Sequence, residues 1–173
     1  MVMICVREEG PDDIDAIRRL NEKAFGQLAE ANIVERLRKN CPHLLSLVAI
    51  RADQIVGHLL FSPVSIEGDG KTMQGMGLGP MAVLPEYQRR GIGSLLIQEG
   101  LEILKDQRCP FVIVLGHPEY YPRFGFERAS LCGIRSQWEG VPDEAFMIRI
   151  LDQEAMIGAS GMARYLREFD EAI

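Results

Sequence analysis

Gln88, Arg89, Arg90, Gly91, Ile92, Gly93 and Ser94 place two arginines and two glycines within seven consecutive positions. Glycines allow backbone conformations that aim several successive N–H groups at one point, and a helix that starts there adds unpaired N-terminal donors and the positive end of its dipole. A loop of this make-up is a cradle for phosphate, with the arginines as mobile positive charge beside it. The same glycines also serve as plain turn residues. Two commoner phosphate motifs are absent. Counted as GxGxxG from Gly91, Gly75 or Gly77, the last position is Leu96, Pro80 or Ala82. The only GK[ST] triplet, Gly70 to Thr72, has Ser65 where a P-loop needs its first glycine, and it leads into a strand.

The elements around the cradle follow from periodicity. "PMAV" reads as the end of a strand entering it, and Ile92 to Gln107 as the helix leaving it, with Ile92, Leu95, Leu96 and Ile103 facing inward. "FVIVL" (111–115), bounded by Pro110 and Gly116, reads as a strand buried on both faces. Strand, crossover helix and second buried strand make one parallel βαβ unit. Upstream, "VMICVR" predicts a first strand, residues 10–25 a helix carrying Ile14, Ile17, Leu20 and Ala24 on one face, and Glu30 to Arg38 a second helix. "LLSLVAI", "IVGHLLFSPVSI" and "TMQGMGLGPMAV", joined by short polar turns, predict an antiparallel meander. The alternating Gly75, Gly77 and Gly79 strip side chains from part of one face, which predicts either a close approach to that backbone or a bulge. Downstream, "PEYYPRFGFERA" predicts a helical turn and a strand, and "EAFMIRIL" (144–151) a further strand. The expected class is α/β (α+β), a mixed and mostly antiparallel central sheet with helices on both faces. The expected organisation is one domain over residues 1–151 and a C-terminal tail, 152–173, packing on it.

Length and composition agree with one ordinary domain: 173 residues, 47% hydrophobic and 25% charged. The net charge of -6 repels nucleic acid and acidic membranes, so neither is an expected partner and any anion site must be local. No basic n-region with an apolar stretch opens the chain, and no window approaches the roughly 20 apolar residues of a membrane span. A cytoplasmic location is the expectation. Cys5, Cys41, Cys109 and Cys132 form no CxxC pair, and His43, His58 and His117 complete no ligand set, so no metal is expected.

After the cradle comes "YYPRFGF", in which Tyr121 precedes Gly125 and Phe126 by the Y-x-x-x-G-F spacing. The two patterns, in this order and with "FVIVLGHP" between them, resemble the GNAT superfamily of acetyl-CoA-dependent N-acetyltransferases. Together with the tail segment "IGASGMARYLREFDE" they look like its bacterial YhbS-like subgroup. The resemblance implies that Gln88, Arg89, Arg90, Gly91, Ile92, Gly93 and Ser94 bind the coenzyme A pyrophosphate. It also implies that the backbone of Met81, Ala82 and Val83 pairs with the pantetheine arm as an added strand would. Direct transfer to an amine then needs three things: a polarised carbonyl, a base for the ammonium and an acid for the leaving thiolate. A backbone N–H near Met81 to Val83 answers the first. Tyr121 matches the family's general acid, and its other reading is a buried aromatic with a satisfied hydroxyl. Many relatives carry a glutamate on the strand before the cradle, but no carboxylate lies between Asp69 and Glu86 here. His117, at the end of "FVIVLG", is one candidate base, unless "GHP" is only a turn, and Glu30 is a second.

The reading from sequence is thus an acetyl-CoA-dependent N-acetyltransferase acting on a primary amine by direct transfer in a ternary complex. Its rivals are a coenzyme A sensor or interaction module without turnover, and an enzyme using the loop for another diphosphate. The acidic surface suits a cationic small amine and equally allows a protein amine. Exposed sheet edges and the tail leave a homodimer open.

Overall fold

In the computed structural model, which describes residues 2–172, twelve elements follow one another among the described residues. They are β1 (Cys5–Glu8), α1 (Ile14–Phe25), α2 (Ala29–Asn40), β2 (Leu45–Arg51), β3 (Gln54–Gly68), β4 (Lys71–Val83), α3 (Ile92–Asp106), β5 (Phe111–Leu115), β6 (Glu127–Arg128), β7 (Ile134–Ser136), β8 (Phe146–Ile150) and β9 (Gly161–Tyr165). The sheet is mixed and mostly antiparallel, as expected from the sequence, and β4 and β5 are the predicted parallel pair joined by α3. The chain divides into two compact units, one made of residues up to Phe61 with Gly79–Gly100, the other of Ser62–Leu78 with Leu101–Glu171.

In the first unit, β1 pairs antiparallel with β2, and β2 with the first half of β3. A two-residue turn with Ala52 and Asp53 both at positive φ (48° and 62°) closes the second hairpin. Successive left-handed residues are what a tight hairpin demands, because their twist matches that of the flanking strands. α1 buries Ile17 and Leu20, and α2 buries Ala31, Ile33, Val34 and Leu37. The inward face of α3 differs slightly from the predicted one. Ile92, Leu96 and Ile97 are buried here, while Leu95 is only half-buried. Gly100 explains this rotation: a Cβ there would run into the Phe61 ring, so the helix turns its bare position toward that ring.

One polar cluster lies within this core. Asn21 Nδ2 donates to Ile17 O (3.0 Å) and to His58 Nδ1 (3.3 Å), which leaves His58 Nε2–H to donate to Ser46 Oγ (2.9 Å). His58 is fully buried, and burial, with the positive charge of Arg38 adding to it, holds its pKa at about 3 against the ordinary 6.5. As pH falls through 6.5 the unfolded chain gains a proton that the folded chain refuses until about pH 3. Stability from this group is therefore complete above neutrality and is lost on acidification across that window, at up to about 1.4 kcal/mol per pH unit. We expect urea unfolding at pH 5.0 to give roughly 2 kcal/mol less stability than at pH 7.5, and a His58→Gln variant to lose less over the same interval. Equal losses in the two proteins would show that His58 is not the group responsible.

In the second unit β5 pairs antiparallel with β8, and β8 with β6. β5 is buried from Phe111 to Val114, as a central strand should be. The glycine stripe of β4 is filled by protein at Gly75 and Gly77, whereas a Cβ on Gly79 would meet nothing within 4 Å. A Cβ on Gly75 would meet the Phe111 ring at 2.6 Å, and one on Gly77 would meet Val64 at 2.8 Å and the Tyr165 ring at 2.9 Å. Aromatic side chains are thus what approaches that backbone. The sequence reading missed one feature of the sheet. β9, within the last residues of the chain, pairs antiparallel with β3 and parallel with β7, a second parallel pair beside β4 and β5.

Candidate functional site

The cradle belongs wholly to the first unit. β4 ends at Val83, Leu84 N donates to Val56 O (2.9 Å), and a 3-10 turn over Pro85–Tyr87 carries the chain to Gln88. The Gln88 amide donates to Val83 O (3.0 Å), so this side chain ties the loop back to the strand it left. Arg89 has φ 62° and Gly91 has φ 82°, while Arg90 between them is not among the positive-φ residues. Alternation of hand across three residues turns successive N–H groups to one side, the geometry of an anion nest. Arg89 keeps a left-handed conformation that costs a long side chain energy, a form of strain that clusters at functional sites. Gly91 O accepts the first helical bond, from Leu95 N (3.0 Å), so α3 begins in the nest and presents its N-terminal donors there. Arg89, Arg90 and Gly91 are exposed, Ile92 is buried, and Gly93 and Ser94 are half-buried.

Gly57 on β3 sets the position of that helix start. A Cβ on Gly57 would lie 2.8 Å from Ile92 Cγ2 and 3.1 Å from Leu96 Cδ1. The first turn of α3 therefore rests directly on bare backbone. Ahead of the loop, Met81 and Val83 are half-buried and Ala82 between them is buried, the alternation of a strand with one covered face.

Tyr121 and His117 belong to the second unit. His117 follows β5 in an exposed bend, and its carbonyl accepts from Tyr120 N (3.1 Å) and Tyr121 N (3.5 Å). A 3-10 turn over Tyr121–Phe124 follows, closed by Gly125 at φ 84°, whose N–H donates to Pro122 O (3.0 Å). That left-handed residue reverses the chain and brings Phe126 edge-on to Tyr121, with ring centroids 5.7 Å apart. The Y-x-x-x-G-F spacing is thus one packing unit. The Tyr121 ring also meets Tyr120 edge-on at 5.1 Å and leaves only 8% of the residue exposed. Burial, and secondarily Tyr120, raises its phenol pKa well above the ordinary 10, so Tyr121 stays protonated throughout the neutral range. His117 lines a 450 Å³ concavity with Pro118, Glu119, Tyr120 and Arg123, and the Arg123 guanidinium stacks 4.5 Å from the Tyr120 ring centre. Glu30, the other candidate base, accepts from the Gln27 amide (2.8 and 3.1 Å) in the first turn of α2, where its charge suits the helix dipole.

The sequence profile of the acetyltransferase (GNAT) domain matches residues 6–129. The chain belongs to the GNAT acetyltransferase family. It is 35% identical to the N-acetyltransferase YhbS of Escherichia coli strain K12 over 166 residues, 95% of this chain and 98% of the relative. YjhQ, another N-acetyltransferase of that strain, is 41% identical over 117 residues, 66% of this chain and 65% of YjhQ. The crystal structure of Escherichia coli YhbS in complex with CoA matches with a TM-score of 0.91 at 34% identity, over 98% of this chain and 93% of that one. A GNAT acetyltransferase from Brucella melitensis in complex with acetyl-CoA matches with a TM-score of 0.79 at 34% identity, over 97% of this chain and 99% of that one.

Within this GNAT chain, residues 88–94 and their supports lie together in the first unit, and the aromatic turn lies in the second. Two further residues stand beside them without any motif to announce them. Arg51, at the end of β2, places its guanidinium 5.4 Å from the Tyr87 ring centre. Tyr165, on β9, holds its ring against Gly77, and its buried hydroxyl has no hydrogen-bond partner among the described residues. Burial raises the Tyr165 pKa, and so does its proximity to Tyr121. Neither residue has a sequence spacing that links it to the site, because each arrives from a distant strand.

Proposed function

We propose that this chain moves the acetyl group of acetyl-CoA directly to a primary amine in a ternary complex. The observation that carries the reading is the alternating-hand backbone at Arg89 to Gly91 opening into the N-terminus of α3, a site built for a diphosphate. Solved relatives that hold CoA and acetyl-CoA support the choice of diphosphate. In this reading the backbone N–H groups of Arg89, Arg90, Gly91, Ile92, Gly93 and Ser94 receive the pyrophosphate, and Gln88 braces the loop. The backbone of Met81, Ala82 and Val83 pairs with the pantetheine arm, and one of its N–H groups polarises the thioester carbonyl.

The acceptor ammonium first gives a proton to His117, and the freed amine nitrogen then attacks the carbonyl carbon as the C–S bond breaks. The departing thiolate takes the phenolic proton of Tyr121, and the second proton of the nitrogen restores that phenol through solvent. Glu119, beside His117 in the concavity, favours an acceptor that arrives as a cation. The four cysteines are free thiols, which suits a reducing compartment such as the cytoplasm.

Thermal unfolding with acetyl-CoA, free CoA, NAD and ATP tests the occupant of the cradle. At about 100 times its Kd a ligand adds roughly 2.7 kcal/mol, which for a chain of this size raises Tm by about 5–10 °C. Shifts with the two coenzyme A ligands alone support the proposal. No shift with them, or a larger one with NAD or ATP, rejects it.

A further inference from the structure

The Tyr87 ring, in the turn that leads into the cradle, carries two cations. Arg51 lies 5.4 Å from its centre and Arg90 lies 5.7 Å from it. Arg51 closes the β2–β3 hairpin opposite Gln54, so a two-residue turn of fixed hand sets its backbone. Tyr87 is fixed in turn by its N–H, which donates to Leu84 O (2.8 Å). The ring thus anchors two guanidinium groups that arrive from separate parts of the chain.

Neither cation has an ion-pair partner among the described residues. Arg7, Arg18 and Arg38 of the same unit are each ion-paired, to Asp13, to Glu22 and Glu35, and to Glu9. Among the described residues Arg51 and Arg90 have no carboxylate partner. Two unpaired like charges at one aromatic ring, in a chain of net charge -6, repel each other until an anion joins them. A guanidinium offers the planar fork that phosphate oxygens fit, which a ring of carbon atoms cannot.

Coenzyme A carries two kinds of phosphate, the diphosphate and a ribose 3′-monophosphate. If the nest at Arg89 to Gly91 takes the first, as the proposed function holds, the second is an added dianion outside the nest that needs side-chain charge. We propose that Arg51 and Arg90, held on the Tyr87 ring, form the subsite for the ribose 3′-phosphate, so that the chain distinguishes coenzyme A from its 3′-dephospho form. This inference rests on the reading of the cradle as a coenzyme A site.

Calorimetric titration of CoA and of 3′-dephospho-CoA, into the wild-type chain and into Arg51→Gln, tests it without any acceptor amine. The wild type is expected to bind CoA about tenfold or more tightly than the dephospho form. Arg51→Gln should lose most of that preference by weakening CoA alone, with Tm of the ligand-free chain unchanged. Tyr87→Leu, which releases both guanidinium groups, should reduce the preference in the same direction. The wild-type preference should also shrink as salt rises, since the subsite is open to solvent.

Equal weakening of both ligands by Arg51→Gln would place Arg51 at the diphosphate and overturn the inference. Equal binding of both ligands by the wild type would overturn it while leaving the cradle reading intact. Binding of neither ligand would reject the cradle reading itself, and this inference with it.

Discussion

Tyr121→Phe is expected to lower kcat for acetyl transfer by roughly 10²- to 10⁴-fold, the usual contribution of a positioned acid, while Kd for acetyl-CoA and Tm stay near wild type. The substitution removes one oxygen and keeps the ring that packs edge-on against Tyr120 and Phe126, so the aromatic turn should persist. Steady-state kinetics with any amine that supports turnover, beside calorimetric binding of acetyl-CoA, reads both effects. A fall in kcat of less than about tenfold would show that another group protonates the thiolate. The pH profile adds a second check. Because burial lifts the Tyr121 pKa above 10, its proton remains in place through the alkaline range, and activity should show no alkaline decline from this residue below pH 10. Loss of activity on the acid side reports the base instead.

Gly57→Val should damage the first unit while leaving the cradle sequence itself intact. The new Cβ would lie 2.8 Å from Ile92 Cγ2 and 3.3 Å from Ala49 Cβ, and the two methyl groups beyond it have no space. Overpacking of this kind costs about 1–3 kcal/mol. The strain falls on the first turn of α3, so the helix start must move and its N–H groups lose their aim. We expect the urea midpoint to fall and the Kd for acetyl-CoA to rise about tenfold or more, since small misplacements of positioning groups are costly. A variant as stable as wild type with unchanged affinity would mean that α3 does not depend on this contact for its position.

The order of strands and helices was legible because each element needs only its own periodicity and its own stop signals. β5 was bounded by Pro110 and Gly116 and was observed at Phe111–Leu115. α3 was predicted over 92–107 and was observed at Ile92–Asp106. The cradle was legible for the same reason. Its glycines, its arginines and its helix lie in one short stretch, so local backbone physics is enough to suggest an anion cradle, while the occupant came from the family resemblance. The aromatic turn was legible as a spacing, although the structure gives that spacing a packing meaning: Gly125 reverses the chain so that Phe126 can cover Tyr121.

The misses are of another kind. The sequence left open what meets the bare face of β4, and the answer, the Phe111 and Tyr165 rings, comes from strands far along the chain. β9 drew no prediction, because five residues entered through glycine carry too little pattern to mark a strand until β3 and β7 offer it edges. Arg51 lies at a short polar turn with no motif around it, and its meeting with Tyr87 depends on which end of β3 lies beside the end of β4. By itself the sequence determined the fold class and the family, and it marked the loop for which a diphosphate is proposed. Only the tertiary structure decided where α3 rests on Gly57, which two cations share the Tyr87 ring, and that the Tyr165 hydroxyl is buried without a partner among the described residues. Those features depend on long-range contacts, and no local period in the chain encodes them.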